Sequence, residues 1–212
     1  MRGSILFMAA ALASAALAQP EPGWRTDTQP MAPKSSDQDG RGGAIRVTNG
    51  LGRCQARKHP GPAMAMLALP LADKEQDLAV RKMFNWTEPC MGLSDGELGF
   101  RTILIAGPMA EQLIVDHKPR IDLATALSNT VPVAPRNVLE EVGDCLIGRD
   151  SANVAALLLA DPTSQIELAR VVALKPAIAD CLPPSRTFTL SVPVVRALVA
   201  VSAYRRLVVA PS

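Results

Sequence analysis

The sequence predicts an all-α fold made of two tandem pseudo-twofold repeats of about four helices each, stapled by disulfides. Three observations predict it. The four cysteines form two equal pairs, Cys90 lying 36 positions after Cys54 and Cys181 lying 36 after Cys145. The shift of 91 positions that superposes these pairs also lays Gly52 on Gly143, Ala65 on Ala156, Leu67 on Leu158 and Val80 on Val171. Helix-start signals recur at the same shift. Asp73 with Gln76 and Ser164 with Glu167 each fit a capping box, in which a short polar side chain accepts a free amide and the third residue onward reaches back.

Residues 1–18 read as a signal peptide. Arg2 supplies the basic start, Ile5–Leu17 the apolar stretch, and Ala16 and Ala18 the small residues a peptidase recognises, with cleavage before Gln19. That apolar stretch is shorter than the roughly 18 residues a spanning helix needs, so no stable membrane span is expected after cleavage and the mature chain is expected in the periplasm or medium. Residues 19–45 are rich in Pro, Gln, Ser, Asp and Gly and read as a disordered leader, because so few large apolar side chains cannot offset the entropy of ordering.

Repeat 1 spans residues 46–116. A short helix carries Cys54, and a second opens at His59-Pro60 ahead of the apolar run Ala63–Leu69. A third opens at Asp73 and ends at Cys90, and a more apolar fourth opens at Ser94 with Glu97. Residues 117–136 hold Pro119, Pro132 and Pro135 and read as a linker, with at most a short helix over Asp122–Leu127.

Repeat 2 spans residues 137–209. Asn137 caps a helix carrying Cys145, Asp150-Ser151 precedes the run Val154–Ala160, and Ser164 opens the helix that ends at Cys181. The last helix opens near Ser191 with Pro193, and there the shift grows to 95, so that Arg101 matches Arg196 and Met109 matches Tyr204. Four extra residues within 182–189 account for the change. The segment Val194–Val209 is apolar on most faces, as a central core helix should be, and Arg196, Arg205 and Arg206 divide it too finely for a membrane span. The β-branched residues of Thr102–Ile105 and Leu190–Val195 allow strand readings, but both runs continue into further apolar sequence, which favours helix.

The cysteines are too widely spaced for zinc and have only His59 and His117 as companions. In an exported chain they are expected as disulfides. Four cysteines allow three connectivities, and independent copies select Cys54 with Cys90 and Cys145 with Cys181. Each bond would contribute about 3–4 kcal/mol on chain-entropy grounds.

Charge excludes one class of partner. Of 22 Lys and Arg against 20 Asp and Glu, the signal segment removes only Arg2, leaving 21 against 20. A nucleic-acid binder needs a clustered basic face, and the cluster Arg53, Arg57, Lys58 reads as a solvated helix face whose counterpart holds Asp144 and Gly148. No Gly-x-Ser-x-Gly elbow, His-Glu-x-x-His pair or phosphate loop is present, and Gly40-Arg41-Gly42-Gly43 lies in the leader. No catalytic, metal or cofactor residue is therefore expected. His59 has an N-cap role and His117 a helix-end position, while Glu140 and Glu141 sit in a helix first turn where the dipole favours them. Asp95 with Glu97 marks a turn. The sequon Asn85-Trp86-Thr87 reads as coincidence, and Phe84 and Trp86 as core in a chain with few aromatics.

Taken together, Arg53-Cys54, the apolar second helix, Asp180-Cys181-Leu182-Pro183, Val195-Arg196-Ala197-Leu198 and Tyr204-Arg205 resemble a group of exported, duplicated, cysteine-paired proteins of sphingomonad-type alphaproteobacteria. The resemblance covers most of residues 48–208 and departs at Ala106 and Val201, where it implies a glutamate. It implies a disulfide-stapled helical protein and nothing catalytic. Two functions remain. One is a periplasmic binding or interaction module whose partner is a protein or a small ligand. The other is an enzyme with a site between the repeats, drawn from Arg101, Arg196 and Tyr204 with a linker carboxylate. A pocket joining those residues to a buried carboxylate favours the enzyme, and a buried, arginine-capped core favours the module.

Overall fold

The computed structural model describes residues 35–84, 90, 101–117, 122–184 and 190–209, with side chains from residue 42 onward. The described residues are helical and contain no strand. Among the described residues ten α-helices follow in order: α1 (Ser35–Lys58), α2 (Pro60–Leu67), α3 (Lys74–Phe84), α4 (Thr102–His117), α5 (Leu123–Ser128), α6 (Val138–Arg149), α7 (Ser151–Leu159), α8 (Gln165–Ala173), α9 (Lys175–Cys181) and α10 (Val192–Tyr204), the last passing into a π-helical turn over Arg205–Val209.

Side-chain caps set four of these starts. Asp122 accepts from the Thr125 amide, Asn137 from Leu139 and Glu140, Asp150 from Asn153 and Ser164 from Glu167. Each satisfies an amide that the first helical turn leaves open. The His59 side chain makes no such cap, and α2 relies on Pro60 and Pro62 in its first turn.

Helices α4 and α10 form the central pair, with α1 packed on α4 and α6 on α10. Both are apolar nearly all round because both are buried nearly all round, over Thr102–Ile114 and Val195–Tyr204. Their backbones touch at Gly107, where a Cβ would stand 2.7 Å from the Cα and Cβ of Ala197. A single apolar cluster runs from Leu51 through Leu113 to Tyr204, so the two halves of the chain share one core. The disulfides are Cys54–Cys90 and Cys145–Cys181, with Cα atoms 5.7 and 5.8 Å apart. No helix among the described residues is long and apolar enough to cross a membrane.

Several expectations change. Helix α1 extends back to Ser35, into the segment read as leader. The helix expected over strand at both β-branched runs is found, at the start of α4 and, from Val192, of α10, because burial on all sides lets β-branched residues pack in either geometry. The helix that ends at Cys181 is broken into α8 and α9 at Leu174, two residues before Pro176, whose ring nitrogen has no proton for the ladder. Helix α3 is described from Lys74 to Phe84, and residues 85–89, between it and Cys90, lie outside the described residues. Ser94, Asp95, Glu97 and the sequon lie outside the described residues, as do residues 1–34.

Candidate functional site

A buried ionic junction ties α4, α8 and α10 together. Arg196 of α10 is 3% exposed and Glu111 of α4 is 4% exposed, so neither charge would persist there without a partner. Arg196 Nε and Nη2 donate to Glu111 Oε1 and Oε2 at 2.6 and 3.0 Å. Its Nη1 donates to Glu167 Oε1 of α8 at 3.2 Å and to the Ala160 carbonyl at 2.8 Å, and Nη2 also to the Leu158 carbonyl at 3.2 Å. These five bonds engage all five N–H groups of a guanidinium. Burial opposes the charged form of Arg196, but Glu111 and then Glu167 outweigh it and hold the pKa above its ordinary value.

Neither carboxylate is free. Glu111 Oε2 also accepts from Arg53 Nη2 of α1 at 2.6 Å. Arg53 is therefore a partly buried ion-pair partner rather than part of a solvated face, which Arg57 and Lys58 alone provide. Glu167 Oε2 accepts from the Thr163 amide at 2.6 Å. Two carboxylates meet two guanidiniums, and the junction is electrically neutral.

Above this junction lies a cavity of about 260 Å³, walled by the first part of the described α1 (Ala44, Ile45, Thr48, Asn49), the start of α4, Pro162, and the start of α10. Glu111, Glu167 and Arg196 form its charged floor. Arg101, exposed one residue before α4, stands at its edge, and its side chain has no hydrogen-bond or ion-pair partner among the described residues. The structure thus brings together Arg101 and Arg196 of the expected site, and supplies carboxylates from α4 and α8 rather than from the linker. Tyr204 does not line the cavity. It is 2% exposed within the core, where burial pushes its phenol above the ordinary pKa.

A second charged cluster gathers around Glu140 of α6. Glu140, 1% exposed, accepts from the Leu71 and Arg136 amides, from the Arg136 guanidinium at 2.5 Å and from Arg205 Nη1 at 2.6 Å. Arg136 also holds the Ala68 and Leu69 carbonyls, and Arg205 the Ala134 carbonyl. Burial alone would raise the Glu140 pKa, but the Arg136 side chain and amide, the Leu71 amide and Arg205 together hold it below the usual carboxylate value. Its role is far more than that of a first-turn residue beside the helix dipole. Arg206 Nε pairs with Asp144 at 2.5 Å on the same helix face of α6.

Among the described residues no three His, Cys, Asp or Glu side chains gather as a metal ion would require. Glu111 is the residue that sequence reasoning missed altogether. Its one signal is a lone acid in the apolar run Ile103–Val115. No protein-family model matches the chain, and neither does any curated protein or solved structure.

Proposed function

We propose that this protein is an exported, periplasmic binding module that holds a small ligand in the cavity between α1, α4, α8 and α10, and that it works without catalysis. The observation that carries this reading is the complete internal engagement of the charged floor. General acid or base chemistry needs a titratable group that can exchange a proton with substrate. Arg196 has every N–H in use, and Glu111 and Glu167 are each held at both oxygens. The enzyme reading draws support from the same cavity, since it joins Arg101 and Arg196 to buried carboxylates. It loses Tyr204, which lies in the core.

The tandem duplication is part of this proposal. Ala72 and Thr163, the two described non-glycine residues with positive φ (58° and 65°), are 91 apart. So are the side chains that accept their amides, Gln76 and Glu167. Gly52 meets α4 at Ile105 and Pro108, and Gly143 meets α10 at Leu198 and Ser202. The pair Arg53–Glu111 has a charge-reversed counterpart in Asp144–Arg206, at shifts of 91 and 95. Against strict equivalence, Arg101 is exposed just before α4 whereas Arg196 is buried in the second turn of α10.

Ligand-observed NMR with a mixed fragment set tests the reading. Fragments should bind the mature chain and lose contact with Ala44→Trp, which fills the cavity edge from an exposed position. Binding that is indifferent to this variant would remove the cavity from the argument. Export is checked by intact mass, which should begin at Gln19.

A further inference from the structure

We infer that the ligand is a small apolar body ending in a carboxylate, with the carboxylate on Arg101 and the body inside the cavity. This rests on the cavity being a ligand site, and it follows from what the cavity leaves unengaged. The walls contributed by Ile45, Leu104, Pro108, Pro162 and Pro193 are apolar, so most of the occupant must be apolar too. At about 260 Å³ the space falls just below the roughly 300–1,000 Å³ of drug-sized sites, so the occupant is small.

Charge decides the remainder. The two carboxylates of the floor are balanced by Arg196 and, behind them, Arg53, and Arg196, the guanidinium that lines the cavity, has no donor left for a ligand. Among the described residues, Arg101 is then the unbalanced charge at the cavity. It gains nothing from its own helix, because a cation just before an α-helix opposes the dipole. The same dipole, from the 16-residue α4 and the 13-residue α10 whose first turns both line the cavity, favours an anion at this edge. Thr48 and Asn49 line the wall with side chains that have no partner among the described residues, and each can donate to a carboxylate oxygen or accept from a ligand hydroxyl. A phosphate monoester fits less well, because it carries close to two charges at neutral pH and one exposed guanidinium neutralises one. The same chemistry is offered by a free aliphatic acid and by the C-terminal residue of a peptide.

The test uses the mature chain and straight-chain carboxylates of increasing length, each beside its primary amide, with affinity followed by calorimetry. The acids should bind with an optimum length, and each amide about tenfold more weakly, since the charge-assisted bond is lost. Arg101→Gln should bring the acid to the level of its amide and leave the amide unchanged, while Arg101→Lys should keep most of the preference. Raised ionic strength should weaken the acid alone. A short apolar peptide with a free or amidated C-terminus identifies the source: tighter binding of its free form than of the best acid assigns the carboxylate to a peptide end, and the reverse assigns it to a free acid. Acid and amide of equal affinity, no binding of either, or an Arg101→Gln chain with undiminished preference would overturn the inference. Equal affinities that both vanish in Ala44→Trp would do so while leaving the cavity as a binding site.

Discussion

The loops that lead into α3 and α8 are built alike and used differently. In each, one residue sits at positive φ, Ala72 or Thr163, and its amide is taken by a buried side chain four residues on. That side chain is an amide in the first loop and a carboxylate in the second. Gln76 stays local and gives its nitrogen to the Met66 carbonyl. Glu167 takes Arg196, and through it is joined to Glu111 on α4, in the other half of the chain. One charge thus turns a loop cap into the lock between central helices. The first loop obtains its charge from outside, where Glu140 takes the Leu71 amide and Arg136 the Ala68 and Leu69 carbonyls. Both loops are tied to the opposite half, by different devices, and the second contributes Glu167 to the floor of the cavity.

The largest effect should come from opening the lock. Arg196→Met leaves Glu111 and Glu167 buried without their shared partner, and such a break costs about 3–5 kcal/mol. Urea unfolding measures it. Adding Glu111→Leu and Glu167→Gln should recover a good part of the loss, because the penalty is the uncompensated charge and not the missing volume. A triple variant no better than Arg196→Met would mean that packing, not charge, holds this crossing.

Next in size is the second staple. Replacing Cys145 and Cys181 together by Ala should remove about 2–4 kcal/mol, mainly through the freedom returned to the unfolded chain. Because α4 and α10 share one apolar core, the loss should appear as a single shifted transition of the whole chain and not as early melting of one half. Two separate transitions in a calorimetric scan would make the halves independent and reduce the lock to a contact between domains.

How much of this was legible in the sequence follows from the reach of each interaction. The caps at Asn137, Asp150 and Ser164 lie two or three residues from the amides they serve, and all three were readable. The disulfide pairing was readable because the equal spacing is a long-range pattern in its own right. The locks were not. Glu111 meets partners 58 and 85 positions away, and Glu140 bonds to residues 65 and 69 positions away, distances that local periodicity cannot carry. Glu140 in a first turn and Arg53 beside Arg57 both have bland local explanations, and only the helix crossings make them buried partners. Tyr204 misled for the same reason, since a lone tyrosine beside arginines reads as a site until its helix proves to be the centre of the core.

The external clasp of the first loop should show itself as acid sensitivity. With Glu140 held below its ordinary pKa, the unfolded chain takes up that proton more readily than the folded one, so stability rises with pH through the acid range. The contribution should be fully present above about pH 4.5, the ordinary glutamate value, and fade as pH falls through the lower folded value. Glu140→Gln should cost on the order of 1–3 kcal/mol at neutral pH, where it strips two guanidiniums of their charged partner, and should flatten this acid limb. An unchanged limb in the variant would shift the acid response to other carboxylates.

The smallest effect distinguishes the two loops at their shared strained residue. A left-handed backbone costs a residue with a Cβ about 1–2 kcal/mol, and a β-branched side chain suffers most. Glycine removes that strain but regains unfolded-state entropy worth about 0.4–1 kcal/mol. For Ala72→Gly the two nearly cancel, and a gain of a few tenths of a kcal/mol is expected. Thr163→Gly starts from greater strain and should gain about 1 kcal/mol, less whatever the Thr163 hydroxyl contributes by accepting from Arg46 on α1 at 3.1 Å. That contact is exposed, and Arg46→Gln measures it separately. If Thr163→Gly is destabilising while Arg46→Gln is neutral, the strain is held in place by the Glu167–Arg196 lock itself. The second loop would then need its threonine to aim the Thr163 amide at Glu167, and the likeness of the two loops would end at their backbones.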